Sequence, residues 1–325
     1  DYLFDLGSHQ ASIHRYMEPE QKDRKCVLID ATDIVSYSRN MSMVQKGYNS
    51  QMNFNPQFVL LYLYDAATLQ PLYYRLVAGN IREVTAMKST IAASGIEQCI
   101  FIADKGFFSE SNISDMELAG LQFIIPLRRD NKLIPYEQLV AIDQNDNYFA
   151  YAKRHIFYTD PQITKGRKVC LYLDGMLKEQ EKNDYLSRIQ TVPEYYSKEK
   201  FKERVNRMGT LAIIHNTGLN PEEIYVEYKQ RGDIEQFFDQ FKNTLNASFS
   251  YMQREESLNG WMFINHISMQ VIYKIYQILK TTPLNKKQML NHRYSIKDTI
   301  EHLMTIKKIK FSDQEHIITE VDKPT

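Results

Sequence analysis

Hydrophobic and polar positions divide the chain into short buried runs and longer stretches of helical period. Cys26-Val27-Leu28-Ile29 is a continuous apolar run followed by Asp30-Ala31-Thr32-Asp33, which predicts a buried strand with acids at its exit. Residues 58–64 and 72–78 read as a second and third strand, joined by a hairpin connection over 65–71. A helix is expected over 83–93, stopped by Gly95, and a fourth strand over 99–103 that also runs into an acid, Asp104. A second helix over 109–119 ends at Gly120, with 123–126 extended after it.

The character changes over 127–208, where short aromatic-rich strands (148–152, 156–158, 169–173) precede a heavily charged helical stretch over 175–207. This part reads as a separate inserted module. Residues 209–216 return to the buried-strand pattern. Asn220-Pro221-Glu222-Glu223 then carries a helix start: a capping side chain, Pro at the first helical position and Glu three residues after the cap. Residues 257–279 form an apolar core helix, and the tail over 281–325 is rich in base. Without the insert the order is three strands, helix, strand, helix, strand, helix. That predicts an α/β fold with a ribonuclease-H-like mixed sheet and flanking helices, interrupted by a β-rich insertion. The expected division is an arm over 1–25, core over 26–126, insertion over 127–208, core again over 209–280, then the basic tail.

Composition narrows the function. With 325 residues and 43% apolar content the chain can bury a substantial core, and no apolar run reaches the roughly 18 residues a membrane span needs. Forty basic residues balance forty acidic ones, which by itself argues mildly against nucleic acid. The local segregation of base, in 198–204 and in the tail, weakens that objection. The three cysteines are far apart, odd in number and outside any metal-ligand spacing. They read as small buried residues in a reduced, cytoplasmic setting. The chain does not begin with Met, and upstream sequence is expected to be missing.

The chemistry concentrates between Tyr228 and Lys242. Tyr228, Arg231, Glu235 and Lys242 are spaced so that, at about 100° per residue on one helix, they fall within an arc of roughly 60° along about 21 Å of axis. Ile234, Phe238, Phe241 and Leu245 form a neighbouring apolar stripe. One face packs while the next offers a phenol, a guanidinium, a carboxylate and an ammonium, a set suited to a metal and a phosphate backbone. If the first and fourth strands are neighbours, Asp30 and Asp104 meet at one sheet edge, and the helix after the last strand can carry Glu235 to them. Carboxylates alone suit hard divalent cations; His and Cys are absent from these places, which disfavours zinc there. Asp33 competes with Asp30, which is preferred because it directly ends the apolar run. Taken singly, each of these charges is as well explained by capping or by solvation. His215 reads as structural or capping, and His266 as a core histidine.

With these residues in order, the chain resembles a DDE transposase of the bacterial insertion-sequence type. It resembles the subgroup whose signature is Tyr, two residues, Arg, three residues, Glu, six residues, Lys. Leu28-Ile29-Asp30-Ala31-Thr32 and Ile102-Ala103-Asp104-Lys105-Gly106-Phe107 are similar to that family's two Asp-bearing strands, and the likeness runs from about Val27 to Leu279. The resemblance implies that Asp30, Asp104 and Glu235 bind two Mg²⁺ ions (Mn²⁺ substituting) and that Tyr228, Arg231 and Lys242 contact phosphates. It implies cleavage at transposon ends and strand transfer into target DNA, by a homodimer on double-stranded DNA and without a membrane. Gly232 departs from the family, where Trp commonly follows the Arg, and would allow a bend. Two other classes fit the same residues: a host ribonuclease-H-like nuclease, and a decayed or co-opted element that binds DNA without catalysis.

Overall fold

A computed structural model of the chain describes residues 1–18, 26–47, 54–81, 83–97, 99–144, 146–164, 166–232, 242, 248–285, 288–306, 308–311 and 315–318. These group into two compact units, residues 1–260 and 261–325. The first unit is built on a twelve-stranded mixed sheet. Its foundation is β1 (Cys26–Ser36), paired antiparallel with β3 (Pro56–Asp65) from Val27↔Asp65 to Val35↔Gln57. On the other side of β3 lie β4 (Pro71–Ala78) and the two-residue β2 (Gln45–Lys46). The β3–β4 connection is held by Asp65, whose Oδ1 accepts from Ala67 N, Thr68 N and Thr68 Oγ1.

β5 (Ile100–Ile102) runs parallel to β1, and β6 (Gln122–Pro126) parallel to β5. The order β4-β3-β1-β5-β6, three antiparallel strands followed by two parallel ones, is the ribonuclease-H-like arrangement expected from the sequence. Two helices make the crossovers. α3 (Glu83–Ser94) is followed by Gly95 at φ +64°. α4 (Glu110–Leu118) is capped by Ser109, which accepts from Asn112 N at 3.1 Å, and is closed by Gly120 at φ +68°. β1, β3, β5 and β6 supply most of the fully buried side chains, including Leu28, Ile29, Phe58, Tyr62, Phe101 and Phe123.

Two features differ from the sequence reading. β1 does not stop at Asp30; it runs on to Ser36, because β3 pairs with it along nearly its whole length and the two-residue β12 (Phe249–Ser250) takes its far end. Residues 1–18, read as a weakly patterned arm, contain two helices, α1 (Tyr2–Ser8) and α2 (Gln10–Met17), with Ile13 and Met17 buried. Their periodicity is short, and α1 is held instead by backbone proximity. A Cβ built on Gly7 would lie 1.7 Å from the Glu256 carbonyl oxygen, and one on Gly260 would lie 2.1 Å from that of Leu3.

The strands after β6 join the same sheet. β11 (Thr210–His215) pairs antiparallel with β6, β10 (Arg167–Asp174) with β11, and β8 (Arg154–Thr159) with β10. β7 (Tyr148–Tyr151) closes the row on β8, while β9 (Gln162–Thr164) pairs with the start of β10. α5 (Gly175–Thr191), capped by Asp174, and α6 (Lys198–Arg204) form the charged stretch. α7 (Pro221–Lys229) starts on the predicted capping box, with Asn220 and Glu223 exchanging side-chain and backbone hydrogen bonds of 2.9 and 3.0 Å.

A long helix, Glu255–Thr281, passes from the first unit into the second. In the second unit it is followed by a hairpin of Pro283–Asn285 with Gln288–Met289, a helix Ile296–Thr305 and a hairpin of Lys308–Phe311 with Glu315–Ile318. Among the described residues, no helix is long and apolar enough to cross a membrane. Cys26, Cys99 and Cys170 are all buried.

Candidate active site

The register of β1 against β5 sets the two acids side by side. Their last paired couple is Leu28↔Ile102, and Asp30 and Asp104 each lie two residues beyond it. Adjacent strands are about 4.8 Å apart, so extending the parallel register brings the acids level at the place where β5 ends while β1 continues. Asp104 then opens a short 3₁₀ turn, Lys105–Phe107, through its carbonyl, which accepts from Phe107 N at 2.9 Å. Its side chain makes no capping bond there. The capping role that a strand-terminal Asp ordinarily plays is therefore not the one its carboxylate takes.

Both carboxylates face the same cation. Arg231 Nη2 lies 3.4 Å from Asp30 Oδ2 and Nη1 lies 3.5 Å from Asp104 Oδ1. The other Asp30 oxygen accepts from Ala31 N at 2.9 Å. Side-chain exposures of 13% for Asp30, 14% for Arg231 and 29% for Asp104 make this a partly enclosed cluster with Asp104 on its open side. Asp33 is separated from it by geometry: three residues along a strand reverse the face, and Gln57 Nε2 donates to Asp33 Oδ1 at 3.2 Å.

Arg231 reaches the acids from the turn that follows α7. Tyr228 is half-buried on the last turn of that helix. The chain then departs from regular helix at Gln230 and Arg231, where Arg231 N donates to the Tyr228 carbonyl at 3.1 Å, before helical backbone resumes at Gly232. Tyr228 and Lys242 thus do not share one uninterrupted helix. The break falls just before Gly232, whose missing side chain weakens helix by up to about 1 kcal/mol relative to Ala. Lys242 is helical and half-buried. Glu235, together with Ile234, Phe238, Phe241 and Leu245, lies outside the described residues.

The chain's sequence matches the family model of the transposase DDE domain over residues 21–269, about three quarters of its length. The chain belongs to the transposase DDE domain family. That match embraces both Asp-bearing strands, the strands of 127–208 and the Tyr228–Lys242 stretch. A solved piggyBac transposase, in a synaptic complex with hairpin DNA, is similar at a TM-score of 0.46 and 12% identity, over 86% of this chain and 51% of that one. The chain thus spans about half the length of that transposase. Among curated proteins, none matches this chain.

A second cluster escaped the sequence reading. Asp160, Cys170 and His215 bring one ligand-type atom each to within 4.8 Å of the others. Their separation along the chain gave no spacing signal; the β10–β11 and β9–β10 pairings assemble them. His266 is fully buried in the long helix and hydrogen-bonded to Gln270 at 3.2 Å, and burial pushes its pKa down to about 3, so it is a neutral core histidine.

Proposed function

We propose that this chain carries the catalytic core of a metal-dependent DNA transposase, hydrolysing phosphodiesters at transposon ends and joining the freed 3′-hydroxyl to target DNA. The observation that carries this reading is the register that sets Asp30 and Asp104 abreast, both turned to Arg231, in a chain of the DDE domain family. Two hard oxygen donors already converging on one cationic group fit a divalent ion. Asp30, Asp104 and Glu235 would hold Mg²⁺, as two ions, with Mn²⁺ able to substitute. Such ions supply activation of an attacking oxygen and stabilisation of the leaving one.

The remaining roles belong to the protein's own side chains. Arg231 offers a planar fork suited to phosphate oxygens and balances the two acids when no ion does. Tyr228, one turn earlier, and Lys242 offer a hydroxyl and a point charge to the same backbone, positioning DNA without reading its sequence. Double-stranded DNA is the partner, taken by a homodimer that holds two ends, and the setting is the bacterial cytoplasm at the nucleoid. Residues 127–208 act as the insertion between the second Asp and the Glu.

The test uses duplex DNA from either side of the chain's own reading frame, with supercoiled plasmid as target, in Mg²⁺. Products covalently joined to the plasmid are expected, and Glu235→Gln is expected to abolish cleavage while end binding stays nearly intact. Cleavage without joining would make the chain a host nuclease; binding without nicking would make it a decayed element. Cleavage retained by folded Glu235→Gln would remove Glu235 from the site.

A further inference from the structure

On the β10–β11 pair, apart from Asp30 and Asp104, three side chains of different chemistry converge. Antiparallel pairing sets Lys168 opposite His215 and Cys170 opposite Ile213, so Cys170 and His215 are diagonal neighbours on one face. Asp160 lies just before β9 and is returned to them by the β9–β10 pairing. Cys170 Sγ lies 3.0 Å from Asp160 Oδ1 and 3.5 Å from His215 Nε2, and that nitrogen lies 3.2 Å from the same Oδ1. Cys170 and His215 are fully buried, while Asp160 retains some exposure and gives the cluster an open side.

These distances resemble the edges of a metal tetrahedron. With metal–sulfur near 2.3 Å and metal–nitrogen and metal–oxygen near 2.0–2.2 Å, neighbouring ligand atoms in a tetrahedral site are about 3.4–3.6 Å apart. The sulfur–nitrogen edge already has that length, and the nitrogen–oxygen edge is slightly short. The sulfur–oxygen edge has to open by roughly half an ångström, as expected when a thiol hydrogen bond gives way to two bonds to an ion. The outer contacts match too. His215 Nδ1 meets Thr217 Oγ1 at 3.3 Å, fixing the ring, and Lys168 Nζ donates to Asp160 Oδ2 at 3.0 Å, leaving Oδ1 as the oxygen that faces inward.

We propose that Asp160, Cys170 and His215 form a binding site for one zinc-class transition-metal ion, with water as fourth ligand, tying the β8–β9 connection to β10 and β11. The sulfur and nitrogen donors separate it from the all-oxygen Asp30–Asp104 site, which suits a hard cation. Burial, then the Asp160 charge, pushes the Cys170 thiol up, so without an ion the thiol keeps its proton and donates to Oδ1. The ion takes the place of that proton, which leaves to solvent.

The full chain, stripped with a chelator, is titrated with Co²⁺ and then Zn²⁺ in the presence of excess Mg²⁺. One Co²⁺ per chain with a thiolate charge-transfer band is expected, bleached by Zn²⁺ and indifferent to Mg²⁺. Asp160→Asn and Cys170→Ser, checked for fold by circular dichroism, are expected to bind at least about tenfold more weakly. Zn²⁺ added in the presence of the excess Mg²⁺ should also raise the melting temperature of the unaltered chain by roughly a further 5 °C. Absence of the cobalt band, absence of that rise, or a folded Asp160→Asn that binds like the parent overturns the proposal.

Discussion

Arg231 and Asp30, 201 positions apart in sequence, meet at 3.4 Å, and the other arm of the same guanidinium reaches Asp104 at 3.5 Å. One cation serves two partly enclosed carboxylates whose mutual repulsion it offsets. Arg231→Ala should therefore destabilise the metal-free chain by on the order of 1–3 kcal/mol. Millimolar Mg²⁺ should return much of the loss, because a divalent ion balances the same charges. Urea unfolding with chelator and with Mg²⁺ reads both effects; equal stability of parent and variant under chelation would count against the pairing. The same variant should bind or position DNA ends less well, and unchanged end binding and joining would rule out the phosphate role for Arg231.

Asp30 and Asp33 offer a direct comparison within one strand. They occupy opposite faces of β1, Asp30 toward Arg231 and Asp33 toward Gln57. If Asp30 holds a metal whose electrostatic contribution is several kcal/mol, Asp30→Asn should slow DNA cleavage by at least about 10³-fold. Asp33→Asn should leave it within about threefold, since Asp33 faces away from Arg231 toward Gln57. Cleavage rates in Mg²⁺ decide this, and the reverse ranking would transfer the ligand role to Asp33.

The close approach of α1 to the start of the long helix has a sharp steric consequence. Gly260 lies where a Cβ would sit 2.1 Å from the Leu3 carbonyl oxygen, and backbone cannot swing aside as a side chain can. Gly260→Ala gains up to about 1 kcal/mol of helix propensity but meets an overpacking cost of about 1–3 kcal/mol. Net loss of stability or release of α1 to protease is expected. Gly218→Ala, where the space is open, serves as the control and should be near neutral. An unchanged unfolding midpoint and protease pattern for Gly260→Ala would mean that the helices are not in contact in solution.

How legible these features were depended on whether their cause was local. The capping box at Asn220, the stops at Gly95 and Gly120 and the apolar runs of β3, β5 and β6 are set by near neighbours, and the sequence displays them directly. The two acids were legible because each ends an apolar run, although β1 itself continues past Asp30 under the influence of β3. What was hidden depends on pairing between distant segments. Among the described residues the strands of 148–174 join the core sheet through β11, and Cys170 gains His215 through that pairing and Asp160 through the β9–β10 pairing. α1 was hidden for another reason: its anchor is a pair of glycines, which carry no hydrophobic signal.

His266 supplies a pH dependence whose sign follows from its burial. It is fully buried, its pKa is pushed down to about 3, and the unfolded chain takes up its proton near 6.5. Between those values the unfolded state binds the proton and the folded state does not, so acid favours unfolding. The stabilisation is fully present above about pH 6.5 and is lost as pH falls toward 3. From pH 7 to pH 5 this one group should lower unfolding free energy by about 2 kcal/mol. The chain has eight histidines, so the measurement compares the parent with His266→Gln, which removes the titration while nearly keeping the volume. The variant is expected to be less stable at pH 7 but flatter with pH, losing about 2 kcal/mol less between pH 7 and 5. Parallel stability curves for the two chains would mean that His266 can charge in place, and that the long helix opens to water around it.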